Sequence, residues 1–240
     1  MKYLIVNADD FGASRGINRG VIEAHRKGIL TSASLMVNAP WSHEAAELMQ
    51  AAPELSVGLH ADFEPMRKDK RANPEQRARA ELRGQFDRFH ELTGCLPTHL
   101  DSHHNVHREP ELLPLFLELA REFDLPLREH SLVRYYSNFY GIWGGQTHLE
   151  QISPENLERI LRNEIGVGVT ELSCHPGYID PDFLSGYSTE REAELAALCH
   201  PRVHQALETQ GIELIGYHEL GRFQSPSLCP AEGENRAPAA

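Results

Sequence analysis

Cysteine is scarce in this chain of 240 residues: there are four, Cys95, Cys174, Cys199 and Cys229, and no two form a C-x-x-C pair. That excludes a cysteine-only zinc cage, offers no disulfide framework and fits a reducing cytoplasm. Basic residues are in deficit too, 23 Lys and Arg against 35 Asp and Glu, for a formal net charge of −12. A general nucleic-acid binder needs a basic face to neutralise phosphates, and this balance leaves none. No apolar run approaches the roughly 20 residues of a membrane-spanning helix. The opening residues Met1 to Asn7 have too short an apolar stretch for a signal peptide and no cleavage site, so a strand of a cytoplasmic protein is expected there. The remaining composition, 40% hydrophobic and 24% charged, is that of a soluble globular protein, and the length suits one large α/β core.

Strand and helix signals alternate along the chain. Strands are expected at Tyr3–Val6, Thr31–Val37, Leu55–His60, the stretch leading to His103, Leu125–Arg128, Val169–Cys174 and Ile212–Ile215. A helix capped by Ser14 carries Ile17, Val21 and Ile22 and closes at Gly28. A short one is expected near Ser42 to Ala51. From Glu75 to Leu92 the apolar residues Leu82, Phe86, Phe89 and Leu92 recur at three- and four-residue spacing, with Gly94 past the end. Further helices are predicted from Pro110 to about Phe123, with Pro114 in the first turn, from Ser153-Pro154-Glu155, and from a capping box at Thr189–Glu192 to a break at Pro201. Residues 64–74 are charged and contain proline, as a surface loop does. Residues 131–151 form an aromatic, Gly-containing loop with Tyr135, Tyr136, Phe139, Tyr140 and Trp143, either a lid suited to sugar faces or a packed surface loop. Proline, serine, alanine and glycine dominate beyond about Phe223, so a single domain over 1–222 and a flexible tail over 223–240 are expected. The alternation predicts parallel strands joined by crossover helices: a distorted or incomplete TIM-like (β/α) barrel of about seven strands, with a doubly wound open sheet as the topological alternative.

The chemistry concentrates at the C-terminal ends of predicted strands. The stretch Thr98 to His107 holds four histidines and Asp101, and His99, Asp101 and His103 alternate so that they share one strand face. A surface histidine tract is the plain alternative, but the flanking sequence is not repetitive. Asp9-Asp10 follow the first apolar run, where a solvated turn or a capping carboxylate is the ordinary reading and Ser14 already supplies the cap. His60 and His175 each end a strand. In a (β/α) barrel those ends converge on one pocket. One carboxylate with two imidazoles leaves coordination positions on a divalent metal open for water and substrate. A second carboxylate then serves as general base and a histidine across the pocket as general acid. Such parts make a hydrolase without saying which bond is cut.

The motifs Asn7-Ala8-Asp9-Asp10-Phe11-Gly12, Val57-Gly58-Leu59-His60, Thr98-His99-Leu100-Asp101-Ser102-His103-His104 with Val106-His107, and Cys174-His175-Pro176 resemble those of the YdjC-like carbohydrate deacetylases, from residue 1 to about 220. The resemblance implies the deacetylase type of barrel, a divalent metal (Mg2+ or Zn2+), and hydrolysis of an N-acetyl group on an amino sugar or short chitooligosaccharide to acetate and a free amine. It implies Asp10, His60 and His103 as metal ligands, Asp9 as the base, His175 as the acid, Arg128 as the residue orienting Asp9, and a homodimer. Asp101 would support the ligands from behind, with His104 and His107 unassigned. Asn105 stands where many relatives have histidine, and Ala61-Asp62-Phe63-Glu64 is more acidic than the family pattern, which suggests cationic or partly deacetylated sugars. Two other functions remain open: a metal-dependent phosphoesterase on the same barrel, although no Gly-rich phosphate loop is present, and a non-catalytic carbohydrate-binding relative.

Overall fold

The computed structural model describes residues 1–63, 74–181, 183 and 185–223. Apart from Pro74 and Phe223, the loop expected over 64–74 and the tail expected over 223–240 lie outside the described residues. A parallel sheet forms the centre, in the order β4 (Leu100–Ser102), β3 (Ser56–Ala61), β2 (Ser32–Leu35), β1 (Lys2–Phe11), β8 (Gly168–Cys174) and β5 (Arg134–Tyr136). β8 pairs along one edge of β1 from Lys2 to Ala8, while the other edge is shared by β9 (Ile212–Leu214) at Lys2–Leu4 and β2 from Asn7 onward. β1 is therefore enclosed on both sides, and its run of apolar residues Leu4, Ile5, Val6 and Ala8 is fully buried.

The sheet curls. Leu127 makes one parallel bridge to Leu100 on the outer edge of β4, yet the neighbouring Arg128 reaches both Asp9 at the sheet centre and Glu171 on β8. This is a half-barrel of parallel strands wrapped around a buried ion network. The helices cover the outside: α1 (Arg15–Lys27), α2 (Ser42–Gln50), α3 (Pro74–Thr93), α4 (Leu113–Glu122), α5 (Pro154–Asn163), α6 (Thr189–Leu198) and α7 (Pro201–Gln210). Their apolar faces join one core with residues such as Ile17, Phe86, Phe116, Leu157, Leu195 and Val203. Ser14 caps α1 by accepting from Ile17 N–H.

Several local expectations are corrected. Leu125–Arg128 contributes one bridge rather than a strand; the strand that completes the far edge is Arg134–Tyr136, inside the predicted aromatic loop. Its partners are Thr170–Leu172, so only tertiary pairing fixes it. The rest of that loop holds a short hairpin and a 3-10 turn. α4 starts at Leu113, not Pro110: residues 103–108 form 3-10 turns broken by left-handed His104 and Asn105, and 110–112 are a turn. The capping box at Thr189 is not made: Ser188 is the N-cap, and its own N–H is taken by Glu190.

Candidate active site

The site begins with an irregularity in β1. Ala8 pairs with Ala33 and Phe11 with Leu35, so Asp9 and Asp10 together face one residue, Ser34, across the ladder. This is a β-bulge, and Asp10 takes φ +67° within it. On a regular strand adjacent side chains point to opposite faces; here the bulge lets both carboxylates line the same cavity. Asn7 steadies the turn by donating from Nδ2 to Asp9 Oδ1 (3.0 Å) and Ser34 Oγ (2.8 Å).

Asp10 Oδ1 lies 3.1 Å from His103 Nδ1 and 3.5 Å from His60 Nε2, while Oδ2 accepts from Arg191 at 2.6 Å. His60 is the last residue but one of β3, in register with Asp101 on β4. Its Nδ1 is 2.8 Å from Asp101 Oδ1, which fixes the ring and leaves the Nε2 lone pair for a cation. The ligand atoms of Asp10, His60 and His103 all lie within 4.8 Å of one another. One carboxylate oxygen and two imidazole nitrogens, with His103 partly open to the cavity, suit a divalent ion that keeps free positions. A second group, Asp9, His60 and Asp101, is equally close, but Arg128 already supplies its positive charge.

Arg128 is buried beneath Asp9. It donates to Asp9 Oδ2 (3.0 Å) and Oδ1 (2.7 Å) and to Glu171 Oε1 (2.6 and 2.9 Å), and lies 2.7 Å from Asp101 Oδ2. The Tyr135 ring covers the guanidinium at 4.8 Å. Burial opposes the charge on Asp9 and Asp10, but Arg128 overrides it for Asp9, and Arg191 with the two histidines overrides it for Asp10, so both carboxyls are held below their usual range. Burial works against a charged His60 as well, yet Asp101 and Asp9 raise it to about 10. The formal balance explains this. Four carboxylates, Asp9, Asp10, Asp101 and Glu171, surround two guanidiniums, Arg128 and Arg191, leaving a deficit of two positive charges. A divalent cation matches that deficit.

His175 directly follows β8. Burial lowers it to about 4 against the pull of Asp10 and Asp9, and its Nδ1 is buried without a hydrogen-bond partner. Glu194 on α6 accepts from the His175 backbone N–H and from Tyr187 Oη, with Oε1 3.9 Å from His175 Nδ1. Burial pushes the Glu194 carboxyl up to about 8. The cavity between these groups measures about 690 Å³, within the range of small-molecule sites, with Tyr135, Tyr140 and Tyr187 on its wall.

The structure thus gathers Asp9, Asp10, His60, His103 and His175 around one cavity and places Arg128 behind Asp9 rather than in the cavity lining. Asp101 lies behind His60, whereas His107 turns away to Ser102 Oγ (2.7 Å). His104 and Asn105 also line the cavity, from a left-handed turn at φ +55° and +52°. Arg191, Glu194 and Glu171 escaped the sequence reading. A signal for the first two existed: Arg191 and Glu194 share a helical stripe with Leu195 and Leu198, and charges on an apolar stripe need buried partners. Glu171 carried no such signal, being one charge in a strand buried along nearly its whole length.

Known proteins are similar to this chain over most of its length. The family model of the YdjC-like proteins matches residues 3–78 and 63–209. A carbohydrate deacetylase of Geobacillus stearothermophilus is 37% identical over 251 residues, covering 91% of this chain and 98% of its own. A chitooligosaccharide deacetylase of Proteus mirabilis HI4320 is 35% identical, covering 90% of this chain and 98% of its own. Among solved structures, a protein from Enterococcus faecalis V583 proposed to cleave cellobiose phosphate superposes with a TM-score of 0.76 at 28% identity, covering 91% of this chain and 98% of that one. The family 4 carbohydrate esterase of Streptomyces lividans shares the fold at a TM-score of 0.55 and 13% identity, covering 89% and 91% of the two chains. With motifs, curled sheet and near full-length similarity in agreement, the chain belongs to the YdjC-like family.

Proposed function

We propose that this protein is a metal-dependent hydrolase that removes the N-acetyl group from an amino sugar or short chitooligosaccharide, releasing acetate and a free amine. The observation that carries the reading is the Asp10–His60–His103 cluster at an open cavity, with a second carboxylate, Asp9, held ionised beside it. The names of the relatives, which are carbohydrate and chitooligosaccharide deacetylases, support the substrate class.

Asp10, His60 and His103 would hold the metal, with Zn2+ or Mg2+ as candidates and the two imidazoles favouring zinc. When bound, such an ion polarises the acetyl carbonyl and acidifies water. Asp9 takes the proton of the attacking water. Arg128 keeps it ionised and aims it, through two N–H···O bonds on the side away from the cavity. His175, neutral at pH 7 because burial lowers it, must first take up a proton and then gives it to the departing amine nitrogen; Glu194 Oε1 lies 3.9 Å from its Nδ1. Tyr140 and Tyr187 offer flat walls to a sugar ring.

A phosphoester substrate is disfavoured by the same cavity. Among the described lining residues Arg191 is the one arginine or lysine, and its guanidinium is committed to Asp10, while Asp9, Asp10 and Asp62 would repel a phosphate. A single catalytic domain over 1–222, residence in a reducing cytoplasm and a homodimer complete the proposal; the free Cys95, Cys174 and Cys199 support the compartment.

The test is acetate release from N-acetylglucosamine and short chitooligosaccharides, with and without a chelator. Chelator-sensitive release is expected. No acetate from any of these sugars, in protein shown to carry metal, refutes the substrate class.

A further inference from the structure

The segment between β5 and α5 carries an aromatic side chain that the chemistry above leaves unused. Ile142–Trp143 (β6) and Gln146–Thr147 (β7) form an antiparallel hairpin that turns through Gly144 and Gly145 at φ +58° and +77°. Two successive left-handed residues are what a two-residue hairpin turn requires, which is why glycine stands at both. An isolated two-stranded hairpin is marginal in water, so this one needs anchoring. Gly141 N–H donates to Tyr187 Oη (2.8 Å), His148 N–H donates to Gly141 O (2.7 Å), and Thr147 Oγ1 donates to Glu190. Gly141 itself is closed in, for a Cβ there would press on Ile152 and Glu190.

On this anchored support Trp143 is 50% exposed. Its ring is nevertheless held, because the indole N–H donates to Tyr140 O at 3.1 Å. Tyr140 lines the cavity, stacks on Tyr187 (4.7 Å, 10°) and meets the His175 ring edge-on (5.6 Å, 67°). The indole is thus tied to the backbone of a residue whose own ring lines the cavity and meets the group assigned to proton transfer. The residues directly after Trp143 are exposed Gly144, Gly145 and Gln146, and the next exposed large apolar side chain along the chain is Leu149. A lone, oriented indole beside a carbohydrate cavity suits a pyranose, whose C–H face packs on the ring while its hydroxyls stay in water.

Building on the deacetylase reading, we infer that Trp143 is an outer sugar platform: it stacks a second pyranose of an oligosaccharide whose acetylated residue occupies the cavity. The protein then prefers oligosaccharides to the single sugar. The experiment compares the full chain, metal-loaded, with Trp143→Ala and Trp143→Tyr on N-acetylglucosamine and on chitooligosaccharides of two to four residues. A stacked ring is worth roughly 3- to 10-fold. Trp143→Ala should lose about that factor in kcat/KM on oligosaccharides, through KM, and nothing on the monosaccharide; Trp143→Tyr should recover most of it. An equal change at every chain length, including none, overturns the inference. So does a change that tracks dissociation of a dimer in sedimentation, which would assign the ring to a contact between copies. If the parent protein releases no acetate from any sugar, calorimetric titration with the tetrasaccharide separates the two claims. Weaker binding by Trp143→Ala than by the parent upholds the platform while the deacetylase reading falls, and equal or no binding by both removes the platform too.

Discussion

Replacing Arg128 with methionine tests whether the buried ion network holds the site together. Three carboxylates, Asp9, Asp101 and Glu171, converge within 2.7 Å of this one guanidinium, and its side chain is inaccessible to solvent. Without it, folding at pH 7 requires one of them to carry a proton. Raising a carboxyl from its ordinary value of about 4.3 past 7 costs roughly 4 kcal/mol, in line with the ~3–5 kcal/mol for breaking a buried ion pair. Glu171 is the natural recipient, because burial already raises its pKa. For a chain of this size ~4 kcal/mol corresponds to about 10 °C in Tm. The sign with pH follows from linkage. The variant's Glu171 has a folded pKa above the unfolded one, so the variant loses stability as pH rises from about 4.5 toward 8. The deficit against the parent should be wide at pH 8 and narrow at pH 5. Thermal melts of both proteins across that range measure it, and adding Glu171→Gln should restore part of the loss at pH 7. An Arg128→Met protein within ~1 kcal/mol of the parent at pH 7, or a deficit independent of pH, refutes the reasoning.

Asp9→Asn should keep the metal, since Asp9 is outside the ligand cluster, and lower turnover by roughly 10²–10⁴-fold, or about 3–5 kcal/mol of barrier. His103→Ala should lose both metal and turnover; metal stoichiometry measured beside acetate release distinguishes the two. Gly58→Ala would drive a methyl group into the His99 ring two residues before His60. It should cost about 1–3 kcal/mol in stability and weaken metal binding, checked by melts and metal titration. Glu194→Gln addresses pH dependence directly. The Glu194 carboxyl, at about 8 when folded and about 4.3 when unfolded, contributes stability that is complete below pH 4 and declines as pH rises through that window, by a few kcal/mol. The variant's Tm should be flatter than the parent's between pH 5 and 8, and an unchanged slope would exclude Glu194 as the titrating group.

Much of the site was legible because its chemistry sits at strand ends. Asp9-Asp10, His60, His103 and His175 each fall at the end of a predicted strand, and a parallel sheet carries such ends to one side whatever the helices between them do. The helix limits of α1 and the break before α7 were legible for a local reason: Ser14 and Pro201 act on their own turns. The failures were non-local. Arg134–Tyr136 has no strand signature stronger than Leu125–Arg128, and becomes the edge strand because β8 offers it a ladder.

The sequence by itself determined which residue types meet, since period and punctuation place them on strands and strand order carries them to a common rim. Tertiary structure decided how they face one another. The bulge that turns both Asp9 and Asp10 to the cavity exists only against the β2 ladder. The pairing of Arg191 with Asp10 spans 181 residues, and that of Arg128 with Glu171 spans 43. Their cause is the cost of burying an unpaired charge, which is felt only once the chain has closed around it.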